Sequence, residues 1–509
     1  MDKLPQYNSF SSHELTSEQC LAVHLAVTRR ENLKVNAFAG TGKTFTLRTI
    51  ARHLPRHRIL YLAFNKSVQM EAQSSFPGNV EARTIHSLAF RAVGMGERAW
   101  QAKLSKHMTI RDYAALLKLD FHSQLSMKSL FCIKEALREF QNSQDSEPSS
   151  KHIPAWEFKT MKSEGEKEFT RQFVDDFAPL LWQRMIDPTD DRVGITHDTY
   201  LKLWQLTDPV LSTFDLILLD EAQDSNPVTM AILKQQKVRL IVVGDSWQQI
   251  YSFRGAVNAM ELLSTPLDCV LTQSFRFGKA IADLANKILR LRDARNLLRG
   301  LPRHKSFLCK IPSGEPYTMI FRYNIELLEE ASALAARQMY IYVVGSLDKT
   351  TGLMLDVFHL YNHERAAIRD PRVKVFKTWA ELEMNYDILD DIELKKSFRF
   401  VERYGQDIPA IIKMVQKVCV PNEEQSDVVL TTGHQSKGRE WQNVRIAGDF
   451  FDSLRSQAPE ELNLLYVAIT RTISQLEVPP FILEWLLTSA KAREVRSSEG
   501  TASAPSLQT

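Results

Sequence analysis

Short apolar runs, set off by turn residues and separated by longer amphipathic stretches, organise the chain. Val35, Ala37 and Phe38 read as a short apolar strand that enters a Gly-Thr-Gly turn, and residues 45–54 then read as a helix. A second apolar run at 58–67 (RILYLAFNKS) ends in an aromatic residue and an amide, and 82–90 (ARTIHSLAF) makes a third strand-to-helix junction. The runs at 214–225 (FDLILLDEAQDS) and 238–243 (VRLIVV) are apolar without alternation, the pattern of strands buried on both faces of a parallel sheet. Between these groups, residues 94–191 read as mostly helical, with a polar interruption at 141–151. A second α/β half follows. Its expected strands are FRYN (321–324), YIYVVG (340–345), DVVLTT (427–432), NVRIAGDF (443–450) and SQLEV (474–478), with a charged helical insertion over 362–426. At the N-terminus, residues 1–14 read as a loose lead-in, and Thr16 or Ser17 offers an N-cap for a helix through Val27. The Ser/Ala-rich stretch after residue 490 reads as disordered.

At 509 residues the chain is too long for one hydrophobic core, and two to four domains are expected. Charged residues at 25% and hydrophobic residues at 44% describe an ordinary globular protein, and a net charge of +3 leaves the choice of partner open. Five scattered cysteines without C-x-x-C spacing suggest neither a disulfide framework nor a zinc site. The polar N-terminus lacks an apolar signal core, and no run approaches the roughly 18 apolar residues of a membrane span. The expectation is a soluble intracellular protein without a membrane partner, cytoplasmic in a bacterium or nuclear in a eukaryote.

Strand, glycine turn and helix at 33–46 form a phosphate-binding pattern. Backbone N–H groups of residues 40–44 can surround phosphate oxygens, Lys43 can reach the β and γ phosphates, and Thr44 can ligate Mg²⁺. Ala37 stands where the usual first glycine would be, and a turn in some other α/β protein would share the rest of the pattern. Asp220 and Glu221 arrive together at the end of a buried strand. One carboxylate there can hold Mg²⁺ while the other orients and deprotonates the attacking water. In 244–256 (GDSWQQIYSFRGA), Gln248 lies near the nucleotide, and Tyr251, Phe253 and Arg254 suit stacking on unpaired bases, although aromatics of this kind also serve as packing. Phe64, Thr84 and His86 lie at C-terminal strand ends, where such sheets bind ligands, and Phe64 and His86 read equally as core and structural residues. Gln19 could bond an adenine edge, or be a surface glutamine.

AFAGTGKT, LLDEAQD, VVGDSWQQIYSFRGA, LTQSFRFG, TTGHQSKGREW and LLYVAITRT resemble, in order and approximate spacing, the motor motifs of UvrD/Rep-type superfamily 1 DNA helicases. Six motifs in register across about 440 residues make the resemblance specific. THDTYLKLWQL (196–206), LYLAFNK and SFRFVERYG (397–405) look most like the F-box-associated branch. The first motif begins at residue 15, so an F-box region and the ubiquitin-ligase role of that branch are not expected.

The resemblance implies two RecA-like parallel-sheet P-loop NTPase domains, each with a mainly helical insertion. Domain 1A would comprise 1–93 and 192–270 around insertion 1B (94–191); domain 2A would comprise 271–361 and 427–490 around a short insertion 2B (362–426), with a disordered tail at 491–509. ATP would be bound by Ala39, Gly40, Thr41, Gly42, Lys43 and Thr44, with Gln19 and Phe275 at the adenine and Glu440 at the sugar. Magnesium would be held by Thr44 and Asp220. Catalysis would rest on Lys43, Asp220, Glu221, Gln248 and two arginines assigned to the γ phosphate, Arg276 and Arg471. Single-stranded DNA would meet Phe64, Asn65, Thr84, His86, Tyr251, Phe253, Arg254, His434 and Lys437. The basic stretch 290–305 is either a further phosphate contact or a solvated helix face. The implied activity is ATP-driven 3′-to-5′ translocation on single-stranded DNA and unwinding at duplex junctions, in repair or recombination control and with proteins of those processes as possible partners. A translocase that strips proteins from DNA, a non-catalytic nucleic-acid-binding subunit and an RNA-directed motor are the alternatives.

Overall fold

The computed structural model describes residues 7, 14–106, 108–119, 124–159, 161, 163–252, 255–386, 389 and 391–501. They form two compact units. One takes the described residues through Leu271 apart from Phe38–Thr41, and the other takes those four together with the described residues from Thr272 onward.

Six parallel strands make the sheet of the first unit: β1 (Leu33–Ala37), β2 (Ile59–Ala63), β3 (Val80–Thr84), β4 (Leu216–Leu219), β5 (Arg239–Gly244) and β6 (Leu267–Leu271). They lie in the order β3-β2-β4-β5-β1-β6. Every residue of β2 and β4 is buried, because helices cover both faces of the sheet. Successive residues therefore enter different cores. Leu60, Leu62, Ile217, Leu219, Leu240 and Val242 join a cluster with Phe140, Leu181 and Trp182 from the helical insertion and Trp204 from the helix His197–Gln205. Ile59, Tyr61, Ala63, Leu216, Leu218, Ile241 and Val243 pack instead with Leu47 and Ile50 from the helix Lys43–His53. The described residues of the helical insertion thus share their hydrophobic core with the sheet and cover one of its faces.

Two lysines that sequence pattern alone would place in solvent are buried, Lys103 in that insertion and Lys202 on the helix that follows it. Lys103 donates to the carbonyls of Arg184, Asp187 and Asp190 at 2.9, 2.8 and 2.6 Å, closing the C-terminal end of the helix Glu164–Ile186. Lys202 donates to Ser143 O at 2.9 Å and to Asp145 O, and so pins the polar interruption onto the helix His197–Gln205.

The second unit repeats the plan with β7 (Phe307–Leu308), β8 (Tyr317–Phe321), β9 (Ile341–Val343), β10 (Val428–Thr432), β11 (Trp441–Ile446) and β12 (Thr472–Glu477), ordered β7-β12-β11-β8-β10-β9 and parallel throughout. FRYN is not the strand expected from its sequence. The strand is Tyr317–Phe321, and the helix Asn324–Ala336 begins where the motif ends. Over residues 491–501 the expected disorder is not what is found, since the helix Pro480–Thr501 continues through them, and the rest of that tail, 502–509, lies outside the described residues. Lys, Ala, Arg and Glu at 491–494 favour helix, and the next proline is residue 505. Among the described residues, no helix is long and apolar enough to cross a membrane.

Candidate nucleotide site and nucleic-acid track

The phosphate loop forms where β1 gives way to the helix Lys43–His53. Ala37 is still paired in the sheet, opposite Leu271, so the position of the missing glycine is an ordinary extended one that tolerates a methyl group. The unusual conformations come later. Gly40 and Gly42 have φ of +72° and +78°, in the left-handed region that glycine enters without steric cost. Thr41 folds back, its N–H and hydroxyl both donating to Phe38 O at 3.3 and 2.8 Å. Gly42 is the N-cap and supplies no side-chain hydrogen bond, which leaves the helix start suited to an anion.

β4 delivers the carboxylates. Asp220 is buried, and its Oδ2 accepts from the Thr44 hydroxyl at 2.9 Å and the Tyr61 hydroxyl at 2.7 Å, while Oδ1 accepts the Glu221 N–H at 2.9 Å. Burial and then the neighbouring Glu221 charge raise its carboxyl above the ordinary range, opposed by the Tyr61 and Thr44 hydrogen bonds and by Lys43. Glu221 has a φ of +49°, rare for a residue with a side chain, and its carboxylate lies 4.0 Å from Lys43 Nζ. A strained acidic residue facing the phosphate-loop lysine is the placement that a water-orienting base requires.

Gln223 extends the network. Its amide donates to Glu221 Oε2 at 2.5 Å, and its Oε1 accepts the Asp245 N–H at 3.0 Å. Asp245 Oδ2 accepts in turn from Gln248 at 2.7 Å. Gly244 makes room for this crossing: a Cβ there would fall 2.5 Å from Gln223 Oε1. The candidate base and Gln248 are therefore linked through two side chains.

Gln19 is neither exposed nor pointed at open space. It is 1% exposed, accepts the Thr16 N–H at 3.1 Å in a capping box and donates to Thr46 Oγ1 at 3.4 Å. The alternative of a surface glutamine is thereby ruled out: the reciprocal cap and the adjacent helix bury it.

In the second unit, Arg276 and Arg471 meet at Thr470. Arg276 donates to Thr470 O at 2.7 Å and to Glu440 at 2.6 Å. Arg471 is 2% exposed and donates to Val467 O at 2.9 Å and to Thr470 Oγ1 at 3.2 Å. Phe275 is half-buried beside Arg276 in sequence. The residues assigned to the γ phosphate and to the sugar are thus already paired.

Of the residues expected on the nucleic-acid track, Phe64 and Tyr251 come together, their rings near-parallel at 14° with centroids 6.1 Å apart, and Phe64 is 46% exposed. Such a ring pair, with Phe64 exposed and Tyr251 half-buried, suits base stacking. Asn65 and Thr84 are N-caps of the helices Lys66–Ser75 and Ile85–Ala92, so their side chains hold helix starts. His86 pairs with Asp198 at 3.3 Å and sets its ring edge-on to Tyr200. His434 and Lys437 lie in the turn between β10 and β11. Phe253 and Arg254 lie outside the described residues. From the basic stretch, Arg299 bonds Thr272 Oγ1 at 2.8 Å.

The model of the UvrD/REP helicase N-terminal domain matches residues 15–265, and that of the UvrD-like helicase C-terminal domain matches residues 427–477. The chain belongs to the UvrD/Rep helicase family. It is 34% identical to F-box DNA helicase 1 of Gallus gallus, over 91% of this chain and 49% of that protein. It is 31% identical to F-box DNA helicase protein 1 of Schizosaccharomyces pombe, over 92% of this chain and 58% of that protein. DNA helicase IV of Escherichia coli is 23% identical over 56% of this chain and 48% of its own length. The chain spans about half the length of the curated relatives it matches. Sequence reasoning passed over two residues of this UvrD/Rep site, Tyr61 and Gln223. Each had a signal, a hydroxyl inside the apolar run ILYLA and an amide inside DEAQD.

Proposed function

We propose that this chain is an ATP-driven DNA motor that moves 3′-to-5′ on single-stranded DNA and unwinds duplex. The observation that carries the reading is the convergence of Lys43, Thr44, Asp220 and Glu221 at the phosphate loop. Thr44 and Asp220 offer two hard oxygen donors in contact, and the raised Asp220 carboxyl marks a buried charge that a cation would stabilise, so the residues fit Mg²⁺. Bound there, Mg²⁺ would neutralise phosphate charge. Lys43 and the loop amides bind the β and γ phosphates, Glu221 orients water and accepts its proton, and Gln223 holds Glu221 in place. Arg276 and Arg471 are assigned to the γ phosphate on the family pattern. Phe64 and Tyr251 stack on bases of the track, with Phe253, Arg254, His434 and Lys437 completing it. DNA as the substrate fits the relatives' names, and work on it in repair or recombination control is part of the proposal.

Among the described residues, the helices between β9 and β10, of which Leu347–Tyr361, Ile392–Tyr404 and Ile408–Val418 are the longer ones, make a modest insertion that also suits a translocase clearing proteins from DNA with little unwinding. Duplexes with 3′ or 5′ single-stranded tails separate the readings. Displacement of the 3′-tailed substrate with ATP is expected. Filament clearance without displacement favours the stripping reading, and no ATP-dependent effect on either substrate contradicts both.

A further inference from the structure

All five residues of β2 are buried, and four of them, Ile59, Leu60, Leu62 and Ala63, are hydrocarbon. The fifth is Tyr61. Its ring belongs to the cluster with Leu47, Ile50 and Val35 beneath the phosphate loop and packs on Phe76 with centroids 4.7 Å apart. Phenylalanine would fill that space equally well, and a hydroxyl taken out of water is unfavourable unless it is bonded. Here the hydroxyl reaches 2.7 Å from Asp220 Oδ2, the oxygen that also accepts from Thr44. Its origin is the neighbouring strand, where Tyr61 pairs in register with Leu218, two residues before Asp220. Three donors, from β2, from the phosphate-loop helix and from the Glu221 backbone, therefore hold both oxygens of one carboxylate. A buried carboxylate held by fewer donors could turn about its side-chain torsions.

We infer that Tyr61 is a positioning residue for the nucleotide site: its hydroxyl holds the Asp220 carboxylate in the orientation in which Asp220 and Thr44 together take the magnesium ion. The inference rests on the ATP-hydrolysing reading. A partner of this kind acts by fixing the ligand's orientation, here while favouring the ionised carboxylate, and removing one typically costs 10–100-fold in metal affinity or activity. Tyr61 touches neither nucleotide nor metal.

The test compares the full chain with Tyr61→Phe and, as a packing control, Phe76→Leu. Binding of a fluorescent non-hydrolysable ATP analogue is titrated with MgCl₂ and repeated in EDTA. Y61F should keep its metal-free affinity, need roughly tenfold more Mg²⁺ for half-saturation, and lose kcat at fixed Mg²⁺ with part of the loss recovered at higher Mg²⁺. F76L should lower the unfolding temperature and leave the Mg²⁺ midpoint in place. A Y61F curve that overlays the wild type overturns the inference, as does loss of the Y61F fold or an equal midpoint shift in F76L, because each makes the hydroxyl a packing device. Wild-type chain that binds no analogue with Mg²⁺ instead sinks the ATPase reading itself, which keeps the two failures distinct.

Discussion

Arg276 illustrates how a single side chain constrains the chemistry. Its guanidinium is held by Glu440 and by the Thr470 carbonyl, in a partly buried pair with Arg276 15% exposed. A fixed cation stabilises charge at low reorganisation cost, and the effect is greatest in the transition state. Arg276→Ala should accordingly lower kcat by about 100-fold, with KM for ATP moving much less. Steady-state ATPase kinetics check this; a change confined to KM would show that Arg276 serves binding alone. Glu221 is constrained differently, by a left-handed backbone and a hydrogen bond from Gln223. Neither restraint is visible in DEAQD read as a string. The pair of adjacent carboxylates is legible there, and their separate environments are not, because burial, strain and cross-strand partners arise only on folding.

At the scale of elements, the end of β8 shows what a polar cluster does beneath a sheet. Asp449 Oδ2 accepts the N–H groups of Arg322 and Tyr323 at 2.8 and 2.9 Å, and Arg322 forms a fork with Glu461 at 2.7 and 2.6 Å. Burial pushes the Asp449 carboxyl up to about 7, against the pull of those two amides. The folded chain therefore keeps a proton that the unfolded chain releases between about pH 4 and pH 7, and this contribution fades as pH rises through about 7. Asp449→Asn retains the accepting oxygen without the charge. It should raise stability at pH 8 by roughly 1 kcal/mol and by less at pH 5, measured as unfolding midpoints at the two values. An equal effect at both would mean that Asp449 is ionised throughout. The misread FRYN belongs to this cluster. Its alternating aromatic and polar residues resemble a strand, but Arg322, Tyr323 and Asn324 are held by Asp449, Glu461 and Glu393 at a strand-to-helix turn. Distant carboxylates decided the local structure. β6 and β7 were missed for a related reason, since β6 is interrupted by the exposed Asp268, β7 has only two residues, and each takes its identity from pairing with β1 or β12.

Across the whole molecule, two parallel-sheet α/β halves were legible, though not all six strands of each, because buried strands leave unbroken apolar runs and the motifs sit at strand ends. The phosphate loop and the carboxylate pair followed from spacing. The helical insertion was legible as helical, yet its sharing of a core with the sheet, through Phe140 and Trp182, depends on contacts no local pattern encodes. The same holds for Gln19, whose burial comes from a reciprocal cap, and for Tyr61, whose hydroxyl has meaning only beside Asp220. The central claim is that Glu221 is the base of a DNA-stimulated ATPase. Its most direct measurement is ATP turnover with and without single-stranded DNA for the wild-type chain and Glu221→Gln. Stimulated turnover that falls by at least about 100-fold in the variant, with ATP and DNA binding retained, is the predicted result; near-normal turnover in Glu221→Gln, or a wild-type chain that hydrolyses no ATP with DNA present, would contradict it.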